Sequence, residues 1–537
     1  TMKTHYERLS YLDRSFLALE SRTTHMHVAG IAVFDAGPLR REDGGIDIDR
    51  IRAFIGSKLH LIPRYRQRLA YVPLERHPVW VDDEHFQIDY HVRHSSLPKP
   101  GSFDQLTELT ARLVSQQLDR SKPLWELSVI EGLEGDRFAL VSKIHHSMID
   151  GISGAELLSI LLNLTPVDEI PDPEPWQARP VPSGTEFLVR ESMRRVGLLM
   201  ENARSVRSFR NNARLVAYQT ARRARAVAYS LGSGWLSQAM KTPLNGKVGP
   251  NRRYAVSVSD LGEVKEVKNL LGGTVNDVVL ATVAGGVRKY LIEVDGLETG
   301  GSDFRVMAPV SVRAPDQAGT LGNHVAMWLA SMPIHEPDPI ARFNAVHAET
   351  EKLKQTDQAL GAATLVRLSA GAPTTLVALA SRLAAGARPF NMTVTNVPGP
   401  QFPVYLLGAE LLDQFPLVPL WEGHGVGIAL FSYNGRIDWG FNADYDIMEN
   451  LDRFVAAIEA SFEELLTAAR GRAKEEAKAA KKAAKSKKAA KSKKTKKSAV
   501  DPPEPAADLD GSEKRPAAGG RTKPMPPLGT KSAASGE

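Results

Sequence analysis

Apolar positions along the chain recur at two spacings. Short runs rich in β-branched and aliphatic residues read as strands: His27-Val28-Ala29-Gly30-Ile31-Ala32-Val33-Phe34, residues 124–130, and Phe138-Ala139-Leu140-Val141-Ser142-Lys143-Ile144. Between them, helical periodicity predicts helices over residues 51–64 and 107–118, and another over 155–162. A proline-dense, acid-containing stretch from Pro166 to Pro182 reads as a linker. From Tyr254 a second alternation begins. It predicts helices over 264–271 and 278–291, then strands over 304–313, 325–332 and 392–396. A hairpin over 425–433 and 436–443 turns at Asn434-Gly435, and an amphipathic helix over 448–469 closes it. This is an α/β (α+β) pattern in two halves, without the regular βαβ repeat of a nucleotide-binding sheet. No GxGxxG, Walker loop or GxSxG elbow is present.

A length of 537 residues exceeds one ordinary domain. The pattern divides it into an N-terminal domain (1–180), a Pro-rich then Arg-rich helical linker (181–248), a C-terminal domain (249–470) and a tail (471–537). The linker holds ten arginines between Arg190 and Arg225, opposed only by Glu191 and Glu201, with Leu198, Leu199, Met200, Val206, Phe209 and Leu215 interleaved. Two readings fit it: a helical bridge with a solvated basic face, or a surface that meets anionic lipid headgroups.

Charge sharpens the division. The tail from Arg470 onward carries a balance of +11 within a total of +6, which leaves −5 for residues 1–469. Twelve lysines fall between Lys474 and Lys497, so the tail is expected to be disordered and is either a solubilising appendage or a polyanion-binding arm. It contains no aromatic residue, so sequence-specific nucleic-acid recognition is not expected. With no cysteine, disulfides and thiolate chemistry are excluded. No signal-like N-terminal segment and no run of 18 apolar residues occurs. The expectation is a cytoplasmic chain, not secreted, either soluble or peripherally attached to a membrane.

Candidate chemistry concentrates at the end of the strand before residue 145, in His145-His146-Ser147-Met148-Ile149-Asp150-Gly151. Composition alone predicts about 0.003 chance occurrences of His-His-x-x-x-acid-Gly. Neutral imidazole is suited to take a proton near pH 7, and an acid four residues on would brace the corner. A pair of satisfied core histidines is the plain alternative. A metal site is disfavoured because neighbours on a strand point to opposite faces, and the same geometry disfavours Ser147 as a nucleophile beside His146.

This motif resembles the active-site motif of the chloramphenicol-acetyltransferase-like superfamily of CoA-dependent acyltransferases. More narrowly, the chain resembles the bacterial wax ester synthase/diacylglycerol acyltransferases, the triacylglycerol synthases of actinobacteria. The supporting segments are Leu9-Ser10-Tyr11-Leu12-Asp13-Arg14-Ser15-Phe16-Leu17, Pro123-Leu124-Trp125, Asn276-Asp277, Pro309-Val310-Ser311-Val312-Arg313, Leu321-Gly322-Asn323 and Thr395-Asn396-Val397-Pro398-Gly399-Pro400. They span about residues 5–465, leaving only the basic tail outside.

The resemblance implies two chloramphenicol-acetyltransferase-like domains, mixed sheets flanked by helices, with a substrate channel between them. It implies His146 as general base, His145 as its support, Asp150 as a structural brace and Asn276 as a polar group near the site. Gly151, Pro123, Leu124, Trp125 and Asp277 are expected to contact substrate, and Val278–Leu280 and Met307 to line the channel. The implied reaction passes a long-chain acyl group from acyl-CoA to diacylglycerol, or to a long-chain alcohol, by direct attack on the thioester. No cofactor and no metal are implied, since acyl-CoA is a substrate. A related acyltransferase with another alcohol or amine acceptor, or a catalytically silent lipid-binding scaffold, are the competing readings. Peripheral attachment to an anionic membrane (the inner face of the plasma membrane) or to lipid droplets would suit the substrates.

Overall fold

The computed structural model describes residues 5–148, 160–209, 238–296, 303–311, 325–355 and 388–497. Its strands are β1 (Glu7–Arg8), β2 (His27–Asp35), β3 (Gln67–Tyr71), β4 (Pro78–Asp82), β5 (Val92–Ser96), β6 (Trp125–Leu133), β7 (Arg137–His145), β8 (Arg252–Asp260), β9 (Phe304–Ser311), β10 (Val325–Met332), β11 (Met392–Pro398), β12 (Tyr405–Leu406), β13 (Ala409–Leu417), β14 (Val426–Tyr433) and β15 (Arg436–Asp444). The longer helices are α1 (Tyr11–Leu19), α2 (Ile48–Lys58), α3 (Phe103–Ser115), α4 (Gly184–Phe209), α5 (Leu261–Leu271), α6 (Val275–Asp295), α7 (Pro339–Gln355) and α8 (Leu451–Lys497).

Two six-stranded mixed sheets carry the fold. One runs β12-β13-β2-β7-β6-β5, antiparallel throughout except for the parallel edge pair β5–β6. The other runs β10-β9-β11-β14-β15-β8, with β9, β11 and β14 parallel. A small sheet, β1-β4-β3, stands beside them. Helices cover the sheets as the patterning requires. The inner faces of α5, α6 and α8 bury Val264, Val287 and Phe454 in one core with Ile428, Trp439 and Phe441 of the second sheet. Caps begin the helices cleanly: Ser102 and Gln105 form a capping box on α3, and Thr274 and Asp277 do the same on α6. At Asn434-Gly435 both residues have positive φ, 43° and 83°, the primed turn that matches strand twist.

Four expectations are corrected. The predicted boundary at residue 249 does not separate the sheets, because β12 and β13 pair into the N-terminal sheet. The register runs from Leu411 opposite Phe34 to Leu417 opposite Ala29. The helix expected over 51–64 stops at Lys58 and gives way to 3₁₀ turns, Leu59–Leu61 and Pro63–Arg66, since Pro63 removes a donor and its ring clashes with a continuing helix. Val278, Val279 and Leu280, expected to line a channel, are buried in the C-terminal core. The tail is helical as far as Lys497, because Ala and Lys are good helix formers and nothing between 472 and 497 breaks the helix that precedes them. By chain contacts the first compact unit runs to Lys474, and residues 475–486 beyond it are exposed. The helix expected over 155–162 falls mostly outside the described residues.

Where β13 crosses β15, backbones meet closely. A Cβ on Gly440 would lie 1.8 Å from the Pro416 carbonyl oxygen. Gly440→Ala is therefore expected to destabilise the fold by about 1–3 kcal/mol or more through overpacking against backbone. Gly197→Ala, in open space on α4, should leave stability equal or slightly higher. Urea midpoints of both variants against the parent check this, and equal midpoints for Gly440→Ala and the parent would refute the close approach.

Candidate active site

The antiparallel pairing of β2 with β7 sets His27 directly opposite His145, the last residue of β7. His146 then starts a 3₁₀ turn, His146–Met148. Both histidine backbones are pinned: the His145 N–H donates to the Leu124 carbonyl at 2.9 Å and the His146 N–H to the Met26 carbonyl at 2.7 Å. The strand ends here, so the two rings leave in different directions and enter different surroundings.

His145 is buried. Its Nδ1 accepts from the Ser147 backbone N–H at 3.1 Å and from the Ser147 hydroxyl at 2.7 Å. Accepting from a backbone N–H fixes the tautomer, so the ring proton sits on Nε2, 3.7 Å from Oε2 of Glu20. Glu20, the residue after α1, is itself buried and is the hub of a cluster. Its carboxylate lies 3.5 Å from His27 Nε2, 3.9 Å from His25 Nδ1 and 2.5 Å from the Arg120 guanidinium. Burial opposes a charge on Glu20, yet His145 and Arg120 outweigh it and hold the carboxyl well below the usual carboxylate range. Burial also pushes His25 and His27 down. Lys143, on the same face of β7, is buried against Glu126 at 3.0 Å and donates to the Leu113 and Gln116 carbonyls. Among the described residues no group of three such side chains has the geometry of a metal site.

Ser147, His145 and Glu20 share the connectivity of a nucleophilic triad. Ser147, however, has no exposed surface, so its hydroxyl meets no substrate and serves as a brace. His146 differs: it is half-buried, and its ring stacks on Phe16 with centroids 3.9 Å apart and planes 23° from parallel. Burial pushes its pKa down to about 4, and His145 adds to the effect. The imidazole is therefore neutral at ordinary pH and partly accessible, which is the state a general base needs.

The other sequence candidates divide. Pro123, Leu124 and Trp125 are buried core residues. Trp125 stacks on His91 at 4.6 Å and donates its indole N–H to the Tyr65 carbonyl at 2.8 Å, while Leu124 holds the His145 backbone. The Asp277 carboxylate is engaged within the fold. It accepts from Thr274, from the Thr350 hydroxyl at 2.6 Å and from His347 at 3.0 Å, locking α6 to α7. Asn276 is half-buried in the first turn of α6, and among the described residues no hydrogen bond joins it to His145 or His146. Met307 packs with Leu329 and Phe390. Asp150 and Gly151 lie outside the described residues. Sequence reading missed Phe16, Glu20, His27 and Arg120. The alternation His25-x-His27, which puts both rings on one face of an extended segment, was the available signal.

Two outcomes are expected. Glu20→Ala should cost about 2–3 kcal/mol, less than a fully buried pair because Arg120 is about a third exposed, and should lower turnover more than Glu20→Gln does. Denaturant midpoints and initial rates for both variants check it; equal rates in the parent and Glu20→Ala would show that the cluster does not support the histidines. Acid should also weaken the fold. His146, His77 and His424 are each pushed down to about 4 by burial. Below pH 6.5 the unfolded chain takes up protons that these folded imidazoles refuse, so stability falls as pH drops from about 6.5 toward 4. The loss is about 1–2 kcal/mol for each group by pH 5, and an identical urea midpoint at pH 7 and pH 5 would contradict it.

The sequence matches the profile of the wax ester synthase/diacylglycerol acyltransferase catalytic domain over residues 9–279 and that of the WS/DGAT C-terminal domain over residues 321–466. It is 34% identical over 471 residues to a probable diacylglycerol O-acyltransferase of Mycobacterium tuberculosis, covering 84% of this chain and 97% of the relative. A putative diacylglycerol O-acyltransferase of Mycobacterium bovis is 30% identical over 469 residues, with 86% and 96% covered. Among solved structures, the wax ester synthase/diacylglycerol acyltransferase of Marinobacter aquaeolei VT8 superposes with a TM-score of 0.61 at 27% identity, over 86% of this chain and 99% of that one. The first condensation domain of the calcium-dependent antibiotic synthetase shares the fold at 15% identity, with a TM-score of 0.53 over 87% and 97% of the two chains.

Proposed function

The chain belongs to the wax ester synthase/diacylglycerol acyltransferase family, and from that premise we propose that it transfers a long-chain acyl group from acyl-CoA to diacylglycerol, forming triacylglycerol, with long-chain alcohols as second acceptors. The observation that carries the reading is His146, a neutral and partly accessible imidazole at the end of a strand whose neighbouring histidine is buried, with its Nδ1 taken by Ser147.

An alcohol is a weak nucleophile until its proton leaves. His146 takes that proton as the hydroxyl oxygen attacks the thioester carbonyl, and a tetrahedral oxyanion forms. Collapse expels the CoA thiolate, to which the imidazolium returns the proton. A pKa near 4 makes His146 a poor base toward water, but in a dry site the oxyanion and departing thiolate stabilise the imidazolium as it forms. Both substrates bind before transfer, so no covalent acyl-enzyme is needed and proximity supplies much of the rate. In this reading Asp150 braces the turn after His146, and Asn276 offers an amide to the reacting carbonyl. No resident cofactor takes part. The acceptor is apolar and lipid-borne, which places the enzyme peripherally at an anionic membrane face or a lipid droplet.

Labelled palmitoyl-CoA incubated with diacylglycerol, with hexadecanol and without acceptor tests the proposal. The parent should form triacylglycerol and, more slowly, wax ester. His146→Ala should retain its fold and lose at least about 10²-fold in turnover. Undiminished turnover in His146→Ala would remove the base, and a folded parent that forms no ester from either acceptor would leave a lipid-binding scaffold.

A further inference from the structure

Helix α4 has two faces of opposite character, and its orientation is fixed by the inner one. There Phe187 is buried with Val72, Val79 and Val81 and meets Tyr6 edge-on at 5.0 Å. Glu191, also buried, accepts from the Tyr6 hydroxyl at 2.9 Å and from Arg8 and Arg194 at 2.5 and 2.7 Å. Directly opposite, Val189, Met193, Val196 and Met200 are 53%, 69%, 50% and 59% exposed. Their spacing of four, three and four residues places them in one stripe about 60° wide. On the turn that Arg195 ties to the helix through Glu75 at 2.9 Å, Leu74 is 90% exposed as well.

A face meant only for water would carry Lys, Glu or Gln at these positions. Here it carries unbranched and β-branched apolar side chains, rimmed by Arg190 and Arg195, which pair with Glu186 and Glu75. The charge is local, because residues 1–469 are net −5 while residues 190–225 hold ten arginines against two acids. An apolar stripe bordered by guanidinium groups on a net-negative body is complementary to one kind of partner, a surface with an acyl interior and anionic headgroups. No single described helix is long and apolar enough to cross a membrane.

We propose that the outward stripe of α4, Val189, Met193, Val196 and Met200, is the docking surface of this protein for an anionic phospholipid bilayer. The apolar side chains enter the acyl boundary, and Arg190 and Arg195 meet headgroup phosphates. The proposal rests on the reading of the protein as an enzyme with a lipid-borne acceptor, and assigns attachment to this stripe and not to the lysine-rich tail.

The test uses the full chain with Val189→Gln, Met193→Gln, Val196→Gln and Met200→Gln together. It is sedimented with vesicles of phosphatidylcholine containing about one third phosphatidylglycerol, beside a truncation after residue 470. The expected result is at least about a 10-fold loss of vesicle partitioning in the stripe variant, with Tm and turnover on detergent-dispersed diacylglycerol unchanged. The truncation should lose only a few-fold, and only at low salt. Parent-like partitioning in the stripe variant overturns the proposal. If such a variant instead changes from dimer to monomer in sedimentation velocity, a second copy covers the stripe; if it unfolds at lower temperature, the stripe is packed against this chain's own residues. A parent with no esterifying activity, alongside a stripe variant that loses vesicle binding, would sink the enzymatic reading and leave the docking surface standing.

Discussion

The crossing of β13 into the N-terminal sheet is the constraint on which the rest of the structure depends. One edge of this strand pairs with β2 over six registered positions. Toward the C-terminal sheet it is held by other means: the Gln414 N–H donates to Asp438 at 2.8 Å, the Tyr254 hydroxyl to the Pro416 carbonyl at 3.0 Å, and the Asn442 amide to the Val418 carbonyl at 2.9 Å. Each such bond contributes about 1 kcal/mol net, but a buried group left without its partner costs more. Phe415 and Leu417 add apolar burial in the core they share with Tyr254 and the inner face of α3. The two halves are therefore joined through a strand that neither half forms alone, and the order of strands makes β2 a central strand instead of an edge.

That position matters for the histidines. β2 is gripped between β13 and β7, so its register against β7 cannot slip without moving every side chain to the wrong face. The register sets His27 opposite His145 and holds the two histidine backbones against Met26 and Leu124. Arg252, at the start of β8, adds a second link by donating to the Thr23 carbonyl, in the loop between Glu20 and His25. The crossing has an electrostatic consequence as well. Asp438 has no exposed surface, and burial pushes its carboxyl up to about 7, so near neutrality it is substantially protonated and does not leave an unpaired charge between the sheets.

What could be read from the sequence followed from local rules. The Asn434-Gly435 hairpin, the two strands that pair as β2 and β7, and the body of the helix over 278–291 follow from turn chemistry and apolar runs. The paired histidines were found because their combination is rare. β13 was missed because Ala409-Glu410-Leu411-Leu412-Asp413-Gln414-Phe415-Pro416-Leu417 has no clean alternation, contains a proline and takes its stabilisation from partners far away in the chain. Distance also hid Glu20, whose role depends on residues 120 and 145, and it hid the plain structural work of Trp125 and Asp277. The first part of the tail, to Lys497, differs from expectation for the opposite reason: charge density argued for disorder, while alanine and lysine propensity, extending a helix already nucleated on the core, prevailed.

The division of labour between the two imidazoles follows from where the strand stops. Had β7 continued as a strand, His146 would point to the other face of the sheet, into the core that holds Ile144 and Phe138. The 3₁₀ turn rotates it away onto Phe16, while His145 stays on the buried face with Glu20. One short N-terminal segment thus holds both rings, Phe16 by its face and Glu20 by its charge. The two contacts have opposite electrostatic consequences. The carboxylate favours a proton on His145 Nε2 and so leaves Nδ1 free to accept from Ser147, which tightens the turn. The phenyl face offers His146 no counter-charge, and burial keeps its ring neutral. A carboxylate beside His146 would raise its pKa and leave it more often protonated before substrate arrives; withholding that partner keeps the base unprotonated until the reaction itself supplies the negative charge.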